Sequence, residues 1–301
     1  MIRGFKDVLN LAKSKGPKTV SVAVAQDREV LSAVKEANDL NIAEAILVGD
    51  KEKIIKIAKD IDMDIEKFEI VDKKDLKEAS EKAVELVSSG KADMVMKGLV
   101  DTSIILKAVL NDDFGLKTGK VLSHVAAFDL ERYEKILLLT DAAMNIAPNL
   151  KQKKQIVENA VYVARSLDIE EPKVAVVCAK EKVNPKMPDT VDAKDLEELN
   201  KNGEIKDCLV GGPFALDNAI SLEAAKHKGI EHDVAGKSDI LLMPDIEAGN
   251  VLYKALVFLA GADNAGVIVG AKAPVVLTSR ADSDAAKLNS IALGALMASK
   301  K

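Results

Sequence analysis

From position 18 onward, short runs of β-branched residues alternate with longer stretches in which apolar side chains recur every three or four positions. The first pattern suits buried strands and the second suits helices with one apolar stripe. Strands are expected over 19–25, 45–49, 68–71 and 92–97, and helices over 27–40, 51–60, 74–88 and 102–110. This alternation is the signature of a parallel sheet covered by helices. Asp27 and Asp50 stand just before helical patterns and read as N-caps, because a short carboxylate there accepts from backbone N–H groups that lack an intrahelical partner. Residues 1–18 read as a charged amphipathic helix.

Between 111 and 120 the chain turns polar and glycine-containing, and apolar runs follow at 121–128 and 135–140. The alternation then resumes with helix 152–167, strand 173–179, a loop through 184–189, helix 192–200 and strand 207–211. Helix 216–228, strand 239–243, helix 248–259, strands 265–270 and 275–278, and a final amphipathic helix 284–299 complete the pattern. Single cores stop growing at roughly 250 to 300 residues, so a chain of 301 is expected to form two α/β lobes with a cleft between them. Periodicity leaves open which lobe receives the last helix.

Composition sharpens this picture. Aromatic residues are only 3% of the chain and Trp is absent, so the core must be built from Ala, Val, Ile and Leu, a mixture suited to parallel sheets. No apolar run approaches the roughly 18 to 20 residues of a membrane span, and the start lacks a signal-peptide core, so a cytoplasmic protein without a membrane partner is expected. The two cysteines, Cys178 and Cys208, fit a reducing compartment, and Cys178 in the run 173–179 reads as a small core residue rather than a nucleophile. A net charge of −5 without a basic stripe gives no attraction to nucleic acid, so any anion site must be local.

Several familiar signatures are excluded. Gly115-Leu-Lys-Thr-Gly119-Lys120 resembles a phosphate loop but has three residues between its glycines rather than four, and Val121 follows where a metal-binding hydroxyl should stand. No G-x-G-x-x-G follows the first strand, and no G-x-S-x-G elbow exists. His227, Glu231, His232 and Asp233 suggest a metal cluster, but Gly229 interrupts the helix that would align them, so they read as surface residues and no metal site is expected. His124, in a strand-like run, reads as a core or cleft histidine.

Three strand-to-helix junctions carry more chemistry. Met243-Pro-Asp-Ile-Glu-Ala-Gly-Asn250 places Asp245, Glu247, Gly249 and Asn250 just beyond a strand, where α/β proteins put ligands. Thr278-Ser279-Arg280-Ala281-Asp282-Ser283-Asp284 repeats that geometry at a helix N-terminus, whose unpaired amides and dipole favour an anion and where Arg280 can offer paired donors. One of Asp282 and Ser283 is expected to cap the helix. Met96-Lys97-Gly98-Leu99-Val100-Asp101-Thr102 brings Lys97 and Gly98 to a similar position.

The run Gly211-Gly-Pro-Phe-Ala-Leu-Asp217-Asn-Ala219, the run Val234-Ala-Gly-Lys-Ser-Asp-Ile-Leu-Leu-Met-Pro-Asp245-Ile-Glu-Ala-Gly-Asn250 and Pro274-Val-Val-Leu-Thr-Ser279-Arg280 resemble the phosphate acetyltransferase and butyryltransferase family, from Lys91 onward. The complete Thr-Ser-Arg-Ala-Asp-Ser form and the length look like the butyryltransferase branch. The resemblance implies a two-lobed fold of the isocitrate/isopropylmalate dehydrogenase type, one lobe formed by 1–119 plus 271–301 and the other by 120–270, with the site in the cleft. It implies reversible transfer of a short acyl group, butyryl foremost, between coenzyme A and inorganic phosphate, with the acyl-CoA and phosphate as substrates, no cofactor, and a homo-oligomer. Ser279 and Arg280 match the family's reacting-centre serine and arginine, and Lys107 corresponds to a basic helix residue. The acetyltransferase branch has a basic aspartate seven positions beyond the serine, where this chain has Ala286. The alternatives are a phosphate acetyltransferase and a non-catalytic protein that binds coenzyme A or an acyl phosphate. A metal-dependent dehydrogenase of the same fold would need clustered aspartates with a tyrosine–lysine pair, which this sequence does not assemble.

The chemistry also follows from the residues. Phosphate near neutral pH already carries a nucleophilic oxygen, so attack on a thioester mainly requires charge neutralisation, orientation and stabilisation of the oxyanion. Arg280 suits the first task, and Ser279 or nearby amides suit the others. In reverse, the coenzyme A thiol, of pKa about 8.5, gains from a base. Asp282 or Asp284 is available by position, with Asp282 preferred. Thr278 and Ser283 complete the expected substrate-binding set.

Overall fold

The structure, a computed structural model, describes residues 2–279 and 282–300. In chain order the elements begin with α1 (Phe5–Lys15), β1 (Lys18–Ala23), α2 (Arg28–Asp39), β2 (Ala43–Gly49), α3 (Lys51–Asp60), β3 (Glu69–Asp72), α4 (Leu76–Ser88), β4 (Met94–Lys97) and α5 (Thr102–Val109). They continue with β5 (Ser123–Asp129), β6 (Leu137–Thr140), α6 (Leu150–Ser166), β7 (Lys173–Val177), α7 (Pro188–Lys201), β8 (Leu209–Phe214), α8 (Leu216–Ile220), α9 (Leu222–His227) and β9 (Ile240–Leu242). The last are α10 (Ile246–Lys254), β10 (Asp263–Val269), β11 (Val275–Val276) and α11 (Asp284–Ala298).

Two compact units result. The first comprises Phe5–Lys120 and Ala265–Lys301, and the second Met1–Gly4 and Val121–Asn264. The later limit falls before 270/271 because β10 from Ala265 onward belongs with the first unit, where Val267 and Ile268 pair antiparallel with Val276 and Val275 of β11, and the earlier limit falls one residue after 119/120.

The first unit has strand order β3-β2-β1-β4-β11-β10, parallel except for β10. Asp27 and Asp50 are the expected caps, accepting from the N–H groups of Val30 and Lys53. The helix of 284–299 departs from its expected amphipathic character, since every residue from Ala286 to Ala298 of α11 is buried. Helices α1 and α2 pack on α11, which also contacts β1, β2, β4 and β11. A helix enclosed on all sides needs no polar stripe.

The second unit has order β5-β6-β9-β7-β8, with β5 antiparallel to β6 and the rest parallel. Phe128, Leu137, Leu139, Val177, Phe214 and Leu241 lie in its core. The single helix expected over 216–228 is broken at Ser221, whose extended backbone ends α8 and whose hydroxyl caps α9 by accepting from Ala224 N–H. A continuous apolar rhythm hides such a break, because a serine cap also fits the polar face of an unbroken helix.

Candidate active site

In the first unit, the parallel register of β11 on β4 sets Val276 beside Met96, so the residues that follow, Lys97–Gly98 and Leu277–Ser279, leave the sheet side by side. This is the carboxyl edge, where α/β sheets bind ligands. Lys97 is 5% exposed, and its Nζ donates to the carbonyls of Gly98 and Val100 at 3.3 Å each. Gly98 N–H donates to Ala23 O at 2.8 Å and Leu99 N–H to Val24 O at 2.9 Å. A Cβ on Gly98 would lie 2.3 Å from Val24 O, so glycine is required there by close backbone approach. Val24 itself has φ of 57°, rare for a β-branched residue, and the two bonds from the Gly98 segment hold it there.

Beyond β11, Thr278 is buried and Ser279 exposed. The Asp282 carboxylate accepts from Ser279 N–H at 2.6 Å, and Asp282 N–H donates to Ser279 O at 3.2 Å. Asp282 therefore closes the Ser279 turn, and the Ser279 amide already has an acceptor. Ser283 takes the capping role, its hydroxyl accepting from Ala286 N–H at 3.2 Å. Asp284 is exposed and accepts from Ala285 N–H. Arg280 lies outside the described residues. Lys107 is exposed at the end of α5, five residues along from Thr102 and thus roughly 7 to 8 Å along the axis, so this register does not group it with Lys97 and Ser279.

In the second unit, β6 and β9 run parallel with Thr140 beside Leu242, so their carboxyl ends also adjoin. Asp245 caps α10, accepting from Ala248 N–H at 2.8 Å, while Glu247 is exposed. Gly249 is buried, and a Cβ there would meet Asp141 O at 2.3 Å. Asn250 Nδ2 donates to Ala142 O at 3.2 Å. The residue at the centre of this cluster, Asp141, was not among the sequence candidates. It is 3% exposed, and its carboxylate accepts from the N–H groups of Ala143, Met144 and Asn145 and from Asn145 Nδ2. A Thr-Asp pair ending an apolar run, with Asn four residues after the aspartate, was the available signal. Two cavities in this unit, of about 400 Å³ beside Leu130, Tyr133 and Leu256 and about 490 Å³ beside Lys135 and Lys173, include none of these residues.

The discarded motifs have structural explanations. A Cβ on Gly115 would meet Asn111 O at 2.2 Å, and Asn111 Oδ1 accepts from Asp113 and Phe114 N–H, so the phosphate-loop lookalike is a tight turn. His232 differs from the surface residue expected. It is half-buried, its ring edge-on to Phe214 at 5.6 Å and against Gly211, with Nδ1 accepting from Val234 N–H. His124 is buried beside Tyr253.

Burial pushes the Cys178 thiol up to about 12, with the Asp189 carboxylate adding to the effect, and burial likewise pushes Cys208 up to about 12. Both are expected to resist a thiol reagent at pH 8 in the folded protein and to react on unfolding, which a titration with and without denaturant checks. Their raised values favour the folded state fully below the unfolded thiol pKa of about 8.5, and that contribution is lost as pH rises from there through about 12.

Comparison with known proteins places this geometry. The family model described as "Phosphate acetyl/butaryl transferase" matches residues 5–82 and 73–295. The chain is 56% identical over 301 residues, the whole of both chains, to the phosphate butyryltransferase of Clostridium acetobutylicum. The chain belongs to the phosphate acetyl/butyryl transferase family. It is also 47% identical to the phosphate acetyltransferase of Thermotoga maritima, over 98% of this chain and 99% of that one. A crystal structure of a branched-chain phosphotransacylase from Enterococcus faecalis superposes with a TM-score of 0.81 at 37% identity, covering 93% of this chain and 99% of that one. Among the acyltransferase candidates, the position seven beyond Ser279 holds Ala286, buried with its N–H on Ser283, so no carboxylate comes from there.

Proposed function

We propose that this chain is a phosphate acyltransferase that moves a short acyl group, butyryl foremost, reversibly between coenzyme A and inorganic phosphate. Full-length similarity to a phosphate butyryltransferase carries the reading. The juxtaposition of Lys97–Gly98 with Ser279 at one carboxyl sheet edge supports it locally. A phosphate oxygen attacks the thioester carbonyl carbon, the C–O bond forms, and the C–S bond breaks to release thiolate, which takes a proton. Arg280 and Lys97 offset phosphate charge and Ser279 orients the reacting groups. In reverse, a carboxylate beside Ser279 accepts the thiol proton, and Asp282 is the one whose carboxylate the turn holds there. Asp245, Glu247, Gly249 and Asn250 serve the acyl-CoA, with Lys107 as a further basic contact.

The test is free-thiol release from acetyl-, butyryl- and valeryl-CoA with and without phosphate. Release is expected to depend on phosphate, to be fastest for the four-carbon chain, and to need no added metal or nicotinamide. Release that persists without phosphate means a thioesterase and overturns the reading. The acetyl-transfer alternative draws on the Thermotoga relative and predicts fastest release from acetyl-CoA. We further propose a cytoplasmic homo-oligomer. No helix among the described residues is long and apolar enough to cross a membrane, and light scattering of purified protein gives the assembly mass.

A further inference from the structure

The first unit buries a charge that the reading above does not use. Lys287, the fourth residue of α11, is 4% exposed. Its side chain runs toward the helix N-terminus, the direction every helical Cα–Cβ bond takes, and Nζ donates to the backbone carbonyl of Asp282 at 2.5 Å. Among the described residues no carboxylate lies within 4.0 Å of it. A carbonyl dipole orients an ammonium but does not cancel its charge, and burying an uncompensated ion is costly. The location adds to the cost, because a helix N-terminus is already positive and lysine is favoured at the opposite end. An apolar side chain of equal length would fill this space without either penalty. The position makes sense if an anion occupies the other side of the turn during function.

The turn in question carries Ser279. It is held from one side by the Asp282 carboxylate on Ser279 N–H and from the other by Lys287 on Asp282 O. Lys287 also directly follows Ala286, so the helix places a cation one residue beyond the site where the acetyltransferase branch has its aspartate.

We propose that Lys287 is a positioning residue for the phosphate substrate: its ammonium pins the Asp282 carbonyl, fixing the Ser279 turn, and its charge raises the affinity of that turn for the anion. This rests on the acyltransferase reading of the same turn. A cation near a dianion acts on phosphate affinity, whereas at the reacting end of acyl-CoA the acyl chain and thioester carry no charge, and the coenzyme A phosphates stand a pantetheine arm away, beyond the screening length of about 8 Å. The two substrates should therefore respond differently.

The test compares wild type with Lys287→Met, which keeps the stem and removes the charge, and Lys287→Gln, which keeps a donor for Asp282 O without the charge. In both variants the KM for phosphate is expected to rise on the order of 10-fold, the size of losing one charge-assisted contact, while the KM for butyryl-CoA stays within about 2-fold. The melting temperature of Lys287→Met should be equal to or above wild type, as when a buried charge is replaced by an apolar isostere. Unchanged phosphate KM in either soluble variant overturns the proposal. So does a parallel rise in both KM values with a lowered melting temperature, which is the pattern of a structural lysine. A second readout is independent of turnover: phosphate should raise the melting temperature of wild type and do so less in the variants. Wild type that releases no thiol but keeps this differential sinks the acyltransferase reading and leaves the anion role standing. Equal phosphate stabilisation of all three sinks the anion role.

Discussion

Gly98→Ala is expected to destabilise the fold by roughly 2 to 4 kcal/mol and to abolish most turnover at the temperature where the wild type is optimal. The added Cβ would sit 2.3 Å from Val24 O and 2.6 Å from Ala23 O. Both are backbone atoms in or just after β1, so no flexible side chain can move aside. Relief requires β1 and β4 to separate, which lengthens the bonds from Gly98 N–H to Ala23 O and from Leu99 N–H to Val24 O. Those bonds also restrain Val24 in the left-handed region, so the strain there would be released at the expense of the sheet edge. Lys97 would move with its neighbour, and its contacts to Gly98 O and Val100 O would be lost from the site. The check is a thermal melt alongside the thiol assay, with Gly90→Ala for comparison. Gly90 has φ of +79° but nothing within 4 Å of its Cβ position, so its cost is conformational only, about 1 kcal/mol. A Gly98→Ala melt no lower than that of Gly90→Ala would contradict the close-approach account.

The contrast between these two glycines shows what a sequence conveys. The β/α rhythm and the caps Asp27 and Asp50 were legible because they depend on local periodicity and on side-chain-to-backbone bonds spanning three residues. The placement of Lys97, Ser279 and Asp245 at strand-to-helix junctions was legible because a strand end leading into a helix is itself a local pattern. The Asp141 cluster was missed: its carboxylate serves three backbone amides two to four residues ahead in an irregular turn that no helical or strand period marks, and the close approach of Gly249 to Asp141 O comes only from tertiary packing. Lys287 was missed for a related reason. An amphipathic reading of 284–299 treats a lysine as solvated, whereas α11 is enclosed by other elements and Lys287 is buried with it. Tertiary enclosure thus changed the meaning of the residue without changing the helix. His232 follows the same logic at smaller scale, since its burial depends on Gly211 leaving room for the ring.

Arg280→Lys is expected to lower turnover by roughly 10²-fold or more while leaving the melting temperature close to wild type. The expectation draws on the position of Arg280 between Ser279, three residues beyond β11, and Ser283, which caps α11. A guanidinium offers two parallel donors to a phosphate and shares the charge that develops as the oxygen attacks, whereas an ammonium keeps the charge and loses the paired geometry. Losing one preorganised electrostatic contact of this kind lowers kcat by about 10²- to 10³-fold. An arginine that served only as a surface ion pair would be worth about 0 to 1 kcal/mol of stability, and its replacement would leave turnover near wild type. Ser283→Ala provides the opposite signature. Its hydroxyl accepts from Ala286 N–H, so the alanine variant should lose about 1 kcal/mol of stability while sparing most of the chemistry. The pair also separates Arg280 from Lys287, whose variants are expected to raise the phosphate KM with a smaller effect on kcat. Arg280→Lys should retain a low kcat even when phosphate is saturating, because its defect lies in the transition state and not only in binding. Near-normal turnover of Arg280→Lys at both limiting and saturating phosphate would remove it from the reacting centre and leave charge neutralisation there to the lysines.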